Sequence, residues 1–433
     1  ALLAISIEGM RFAIVLTLAA LFAEAQPGNV NYDEAKVPHY TLPDPLLLAS
    51  GARVSTARAW SQQRRPELLD LFRREMFGTS PARPAKIDFE LAAIDRRALG
   101  GIAERKEVTV YLTSRKNGPK MTVLLYLPAG AAKPVPVFLG LNFGGNQTVA
   151  ADPGIRLGQI WPRSSTAGAL APHPATEQSR GTAAGRWQVE KILRHGYGLA
   201  TIYYGDIEPD FDGGIRYGVR PAFFHPGQTA PAASEWGAIG AWAWGLSRAL
   251  DYLETDKQVD ARHVALMGHS RLGKTALWAG AEDTRFAMVI SNCSGEGGAA
   301  LSRRLFGEQP ADLNSRFPHW FDANYRKYSS HESDLPFDQH ELIALIAPRP
   351  VYIATAAEDL WADPKGQFLA AAAAGPVYEL LGKQGLGTDQ MPPLHHPIMH
   401  DIGYHNRSGK HDVIEYDWDQ YLKFADMHFR RNP

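Results

Sequence analysis

The apolar run Val264-Ala265-Leu266-Met267 passes directly into Gly268-His269-Ser270, and a helical pattern from Arg271 to Ala279 starts at the next residue. Few folds accept that order. A serine on so tight a strand-to-helix turn needs a glycine two residues before it, because a Cβ has no room there, and the turn lifts the hydroxyl to a helix N-terminus. The second glycine falls at Gly273 instead of position 272. Arg271 and Lys274 put cations in the first helical turn, against the macrodipole, at about 0.3–1 kcal/mol each. A ligand accounts for this, and both the Arg271 N–H and its guanidinium are candidate donors to an oxyanion.

The rest of the chain reads as a frame for that turn. Segments 64–76, 236–253 and 417–429 repeat apolar residues at helical spacing. The stretch 107–113 alternates, and runs at 121–127, 135–141, 198–204, 263–267, 286–291 and 351–355 are short and apolar, as strands are. Their alternation with helices predicts an α/β fold, a three-layer αβα sandwich around a mostly parallel sheet with loop insertions. Residues 26–45 read as an extended arm, 142–146 as a tight loop at a strand's carboxyl end, 150–186 as a surface insertion and 206–226 as a loop. One domain over residues 26–433 is expected.

Ahead of it, Met10 to Ala25 carries Arg11, the apolar run Phe12 to Phe22 and Ala23-Glu24-Ala25, the pattern of a cleaved secretory leader. About 11 apolar residues fall short of the ~20 that cross a bilayer, so the expectation is a secreted or periplasmic protein with no membrane association after cleavage. Residues 1–9 fit no leader. The one cysteine, Cys293, excludes an intramolecular disulfide. A formal net charge of -1 offers no bulk attraction to nucleic acid or an anionic membrane.

A serine nucleophile needs a base, and folds with this turn order the chain as serine, acid, histidine. Among the late histidines His395, His396, His400, His405 and His411, the last lies in Gly409-Lys410-His411-Asp412, just before the final helix. That is where such a fold places its base. His395, His396 and His400 match no common zinc spacing and lack an acidic cluster, so no metal site is expected. Glu358 and Asp359 both follow the strand at 351–355, and either could orient the base.

Four segments in this order, Gly268-His269-Ser270-Arg271-Leu272-Gly273-Lys274, Ser294-Gly295-Glu296-Gly297-Gly298-Ala299-Ala300, Phe317-Pro318-His319-Trp320-Phe321 and Glu358-Asp359-Leu360-Trp361-Ala362-Asp363-Pro364, resemble bacterial glucuronoyl esterases, carbohydrate esterase family fifteen of the α/β-hydrolase superfamily. The resemblance runs from about residue 30 to the C-terminus. It implies hydrolysis of the ester between 4-O-methyl-glucuronic acid on glucuronoxylan and a lignin alcohol, with no cofactor or metal; a monomer is expected. By position, Ser270 would be the nucleophile, His411 the base and Arg271 an oxyanion donor, while Lys274, Glu308 and Trp361 would hold the uronate sugar. Many members carry the acid immediately before Ser-Gly, where this chain has Cys293. Some bacterial members place it after the later strand, which favours Asp359, with Glu296 as a fallback. Two rival expectations are another carbohydrate esterase, such as an acetyl-xylan deacetylase, and an inactive glycan-binding homologue.

Overall fold

The computed structural model describes residues 30–113, 115–162 and 171–430, so the leader expected over 10–25 lies outside the described residues. The described residues from 31 to 430 form one compact unit. Among the described residues its sheet has ten strands: β1 (Asp88–Arg97), β2 (Ala103–Tyr111), β3 (Lys120–Pro128), β4 (Val135–Asn142), β7 (Gly198–Tyr203), β8 (Val259–His269), β9 (Met288–Asn292), β10 (Val351–Ala356), β11 (Ile398–Met399) and β12 (Ile402–Arg407). Their spatial order is β1-β2-β3-β7-β4-β8-β9-β10-β12-β11. From β7 to β12 the strands run parallel, while β1, β2 and β3 pair antiparallel on one side and β11 on the other. A separate ribbon joins β5 (Gln159–Ile160) to β6 (His173–Pro174).

The apolar runs have a direct cause, because both faces of the parallel strands are covered. In β8, Val264 and Leu266 enter one core, Ala265 and Met267 the other. The first core holds the buried faces of α1 (Arg65–Glu75), α3 (Ala238–Leu253) and α4 (Arg271–Glu282). The second is closed by α2 (Val189–Arg194) and α5 (Glu415–Phe429). This is the expected three-layer αβα arrangement.

Two expectations need correction. The segment 150–186 is more than a surface insertion. Asp152 is buried, with Arg105 Nη1 and Tyr126 Oη both donating to its Oδ2 at 2.6 Å, and Ile155 sits in the second core. The strand β12 escaped the sequence because Gly403, His405, Asn406 and Arg407 break its apolar pattern. Burial is compensated by pairing: Asp417 Oδ1 lies 2.8 Å from His405 Nε2, and both Asp417 oxygens accept from Arg407 Nε. That network sets the strand which delivers the loop of His411.

Candidate active site

The turn between β8 and α4 has the steric demands read from the sequence. Ser270 holds φ 58° and ψ -132°, a conformation that costs on the order of 1–3 kcal/mol for a residue with a Cβ. A methyl on Gly268 would overlap the Leu272 carbonyl oxygen, and one on Gly273 would stand 3.0 Å from the Ser294 Cβ. The Ser270 N–H donates to Asn292 O at 2.9 Å, tying the turn to the end of β9. The second glycine therefore serves helix-to-loop packing one residue later than the usual pattern.

His411 reaches this turn from the loop after β12. Its ring centroid lies 4.5 Å from that of His269, the residue before the serine. Its Nδ1 is 2.6 Å from Asp359 Oδ2. Glu358 points elsewhere: its Oε1 accepts from the Gly409 N–H at 3.1 Å and so braces the histidine loop without touching the imidazole. Glu296 is engaged by other partners; it accepts from Ser302 Oγ at 2.8 Å and Tyr325 Oη at 2.7 Å, and burial pushes its carboxyl up. Of the three carboxylates left open by the sequence, the structure joins Asp359 to the histidine.

Cys293 is buried beside this pair, its Sγ within 4.8 Å of the Asp359 and His411 donor atoms. Such a cluster could face a metal ion. Here Asp359 Oδ2 and His411 Nδ1 instead face each other at 2.6 Å, and burial, then the Asp359 charge, push the thiol well above its ordinary range. His395, His396 and His400 take three separate partners, the Ser408 hydroxyl, Leu394 O and Gly385 O. His269 is kept neutral by burial, then by the neighbouring His411, and its Nδ1 lies 2.7 Å from Asn292 Oδ1.

Arg271 Nη1 donates to Asp210 Oδ2 at 2.5 Å, and its guanidinium lies 4.6 Å from the Trp320 ring centroid and 5.2 Å from that of Phe317. Those rings are stacked 3.9 Å apart. Burial alone would raise the Asp210 pKa, but Arg271, His319 and Trp320 outweigh it and hold the carboxylate ionised. Trp320 Nε1 donates to Asp210 Oδ1 at 2.7 Å, with His319 Nε2 2.9 Å from the same oxygen. Asp210 was missed in the sequence, where it is one of several carboxylates in the loop 206–226 with nothing local to single it out.

Lys274, Glu308 and Trp361 do come together. Glu308 Oε2 accepts from Lys274 Nζ at 2.9 Å and Oε1 from Trp361 Nε1 at 3.1 Å. Lys274 is held by more than Glu308. Lys274 is 3% exposed, and its Nζ also donates to Ser294 O at 2.7 Å and Glu296 O at 2.5 Å. An ammonium has three N–H bonds, and here these three acceptors tie Glu308 to the turn after β9. The carboxylates of Asp210 and Glu308 also answer the two cations in the first turn of α4.

A cavity of about 180 Å³ adjoins His269 on the β4 side, lined also by Phe143, Thr148, Thr182, Arg186 and Val413. Arg186 Nη2 pairs with Asp412 at 2.5 Å and so links the insertion to the residue after His411.

The chain is similar to known esterases. The profile of the family described as glucuronyl esterase, fungi, matches residues 229–382. A solved glucuronoyl esterase from Solibacter usitatus is 58% identical, with a TM-score of 0.88 over 91% of this chain and 100% of that one. A carbohydrate esterase of an unknown prokaryotic organism is 52% identical over 93% of both chains. A 4-O-methyl-glucuronoyl methylesterase of Wolfiporia cocos is 38% identical over 43% of this chain and 47% of its own length.

Proposed function

Since the chain belongs to carbohydrate esterase family fifteen, the glucuronoyl esterases, we propose that it hydrolyses 4-O-methyl-glucuronoyl esters joining glucuronoxylan to lignin alcohols, with Ser270, His411 and Asp359 as its catalytic triad. It is a carboxylic ester hydrolase. The observation that carries the assignment of roles is the 2.6 Å contact of His411 Nδ1 with Asp359, made by a histidine packed beside the serine turn.

In this reading His411 Nε2 takes the Ser270 proton as Oγ attacks the ester carbonyl. The tetrahedral oxyanion accepts from the Arg271 N–H and guanidinium, held by Asp210. His411 then returns the proton to the departing alcohol, leaving a glucuronoyl-serine. Water, deprotonated by His411, releases the uronic acid and the serine. Donors aimed at the developing oxyanion are worth about 10²–10³-fold in rate. Glu308, fixed by Lys274, accepts from sugar hydroxyls, and the Trp361 indole forms the apolar wall of the sugar site.

No described helix is long and apolar enough to cross a membrane. We place the enzyme outside the cytoplasm, acting as a monomer, with the leader over 10–25 as the reason for export. The test is acid release from methyl and benzyl glucuronate esters by wild type and Ser270→Ala, beside acetylated xylan. Activity surviving in Ser270→Ala removes the serine mechanism, and a preference for acetyl groups overturns the substrate.

A further inference from the structure

Trp161, Phe211 and Tyr217 form an aromatic group outside the residues placed in the mechanism. The Trp161 centroid lies 4.7 Å from Tyr217 and 6.0 Å from Phe211, and Phe211 is 6.2 Å from Tyr217. Phe211 is buried, but Tyr217 is 48% exposed and Trp161 half-buried, so ring surface faces solvent. A large exposed ring kept on two packed ones is a surface prepared for contact.

Three observations tie this group to the loops that flank the reaction centre. Phe211 follows Asp210, which holds the Arg271 guanidinium at 2.5 Å. The Trp161 N–H donates to Tyr203 Oη at 3.0 Å, at the carboxyl end of β7. The neighbouring Ile160 packs so closely on Gly145 that a side chain there would collide with it, which seats the insertion on the loop after β4. In the sheet order β7-β4-β8-β9-β10, Ser270 follows β8, the three rings stand on loops after β4 and β7, and Glu308 and Trp361 stand on loops after β9 and β10. The rings and the sugar-holding pair therefore lie on opposite sides of the nucleophile. An ester attacked at its carbonyl has two arms, and the acyl arm is assigned to the second side.

We propose that Trp161, Phe211 and Tyr217 form the alcohol site, a stacking platform for an aromatic leaving group; this rests on the glucuronoyl esterase reading above. Flat, uncharged ring faces recognise an aryl alcohol by stacking and distinguish it little from a plain alkyl one of equal reach except through that contact.

The experiment measures kcat/KM on benzyl and methyl glucuronate for wild type, Trp161→Ala and Tyr217→Ala, with a methyl glucuronate carried on a xylo-oligosaccharide as a third substrate. The expected result is a fall of about 3–10-fold on the benzyl ester in each variant, with both methyl esters within about twofold of wild type. The retained methyl rate reports an intact fold and triad. Equal losses on all three substrates, or no loss on the benzyl ester, overturn the platform. A loss confined to the xylo-oligosaccharide substrate overturns it in favour of a glycan-binding surface. Failure of wild type to cleave any of the three removes the esterase reading instead, and the platform with it.

Discussion

Replacing Asp359 by asparagine keeps the size of the side chain and removes its charge from the partner of His411. The benefit of that charge is greatest when His411 is an imidazolium, which in a serine esterase occurs at the transition state. At the 2.6 Å contact distance and an effective dielectric of about 20, Coulomb's law gives about 6 kcal/mol. The Asp359 side chain is 5% exposed but that of His411 is 39% exposed, so water screens the pair and about 4 kcal/mol is a fairer figure. That corresponds to roughly 10³-fold in kcat, near the ~10⁴-fold that loss of a triad aspartate's charge can reach. Glu358→Gln, which keeps an oxygen for the Gly409 N–H, should stay within about threefold of wild type. The assay is saturating hydrolysis of benzyl glucuronate, with thermal unfolding of each variant to show an intact fold. If Asp359→Asn keeps more than about a tenth of the wild-type kcat, or if Glu358→Gln costs more than Asp359→Asn, the assignment of the acid is wrong.

Lys274→Met should lower stability by about 3–5 kcal/mol, because it strands Glu308 and two buried carbonyls; a denaturant midpoint within error of wild type would refute the structural role. Gly268→Ala must push the backbone away from the Leu272 carbonyl, so about 10²-fold of activity should go even where the protein folds, which a single-turnover assay can read. Asp322 is 2% exposed, and burial raises its pKa to about 8 despite the Tyr325 N–H donating to it at 3.0 Å. Between the ordinary carboxylate range near 4 and about 8, the unfolded chain loses a proton that the folded chain keeps, so this group removes about 1.4 kcal/mol of stability per pH unit. Asp322→Asn should flatten the decline of stability between pH 5 and pH 8, and an unchanged pH profile would contradict the assignment.

The serine turn was legible because its causes are local. A glycine without room for a Cβ, a strained serine and a helix starting at the next residue sit within a few positions of one another, as do the apolar strands and the periodic faces of α1, α3 and α5. The layered α/β fold could be read for the same reason. Other features depended on chain segments that meet only on folding. Glu358 and Asp359 are adjacent carboxylates with the same local context; which one meets His411, 52 residues away, follows from the register of β10 beside β12 and the path of two loops. Asp210 looks like any loop aspartate until Arg271, 61 residues on, and Trp320, 110 residues on, close over it. The three acceptors that surround Lys274 come from segments that its own helix does not reveal. Steric limits on a turn act between neighbours and are written in the sequence, whereas the partner of a charge is settled by burial, which only the assembled sheet and its loops impose.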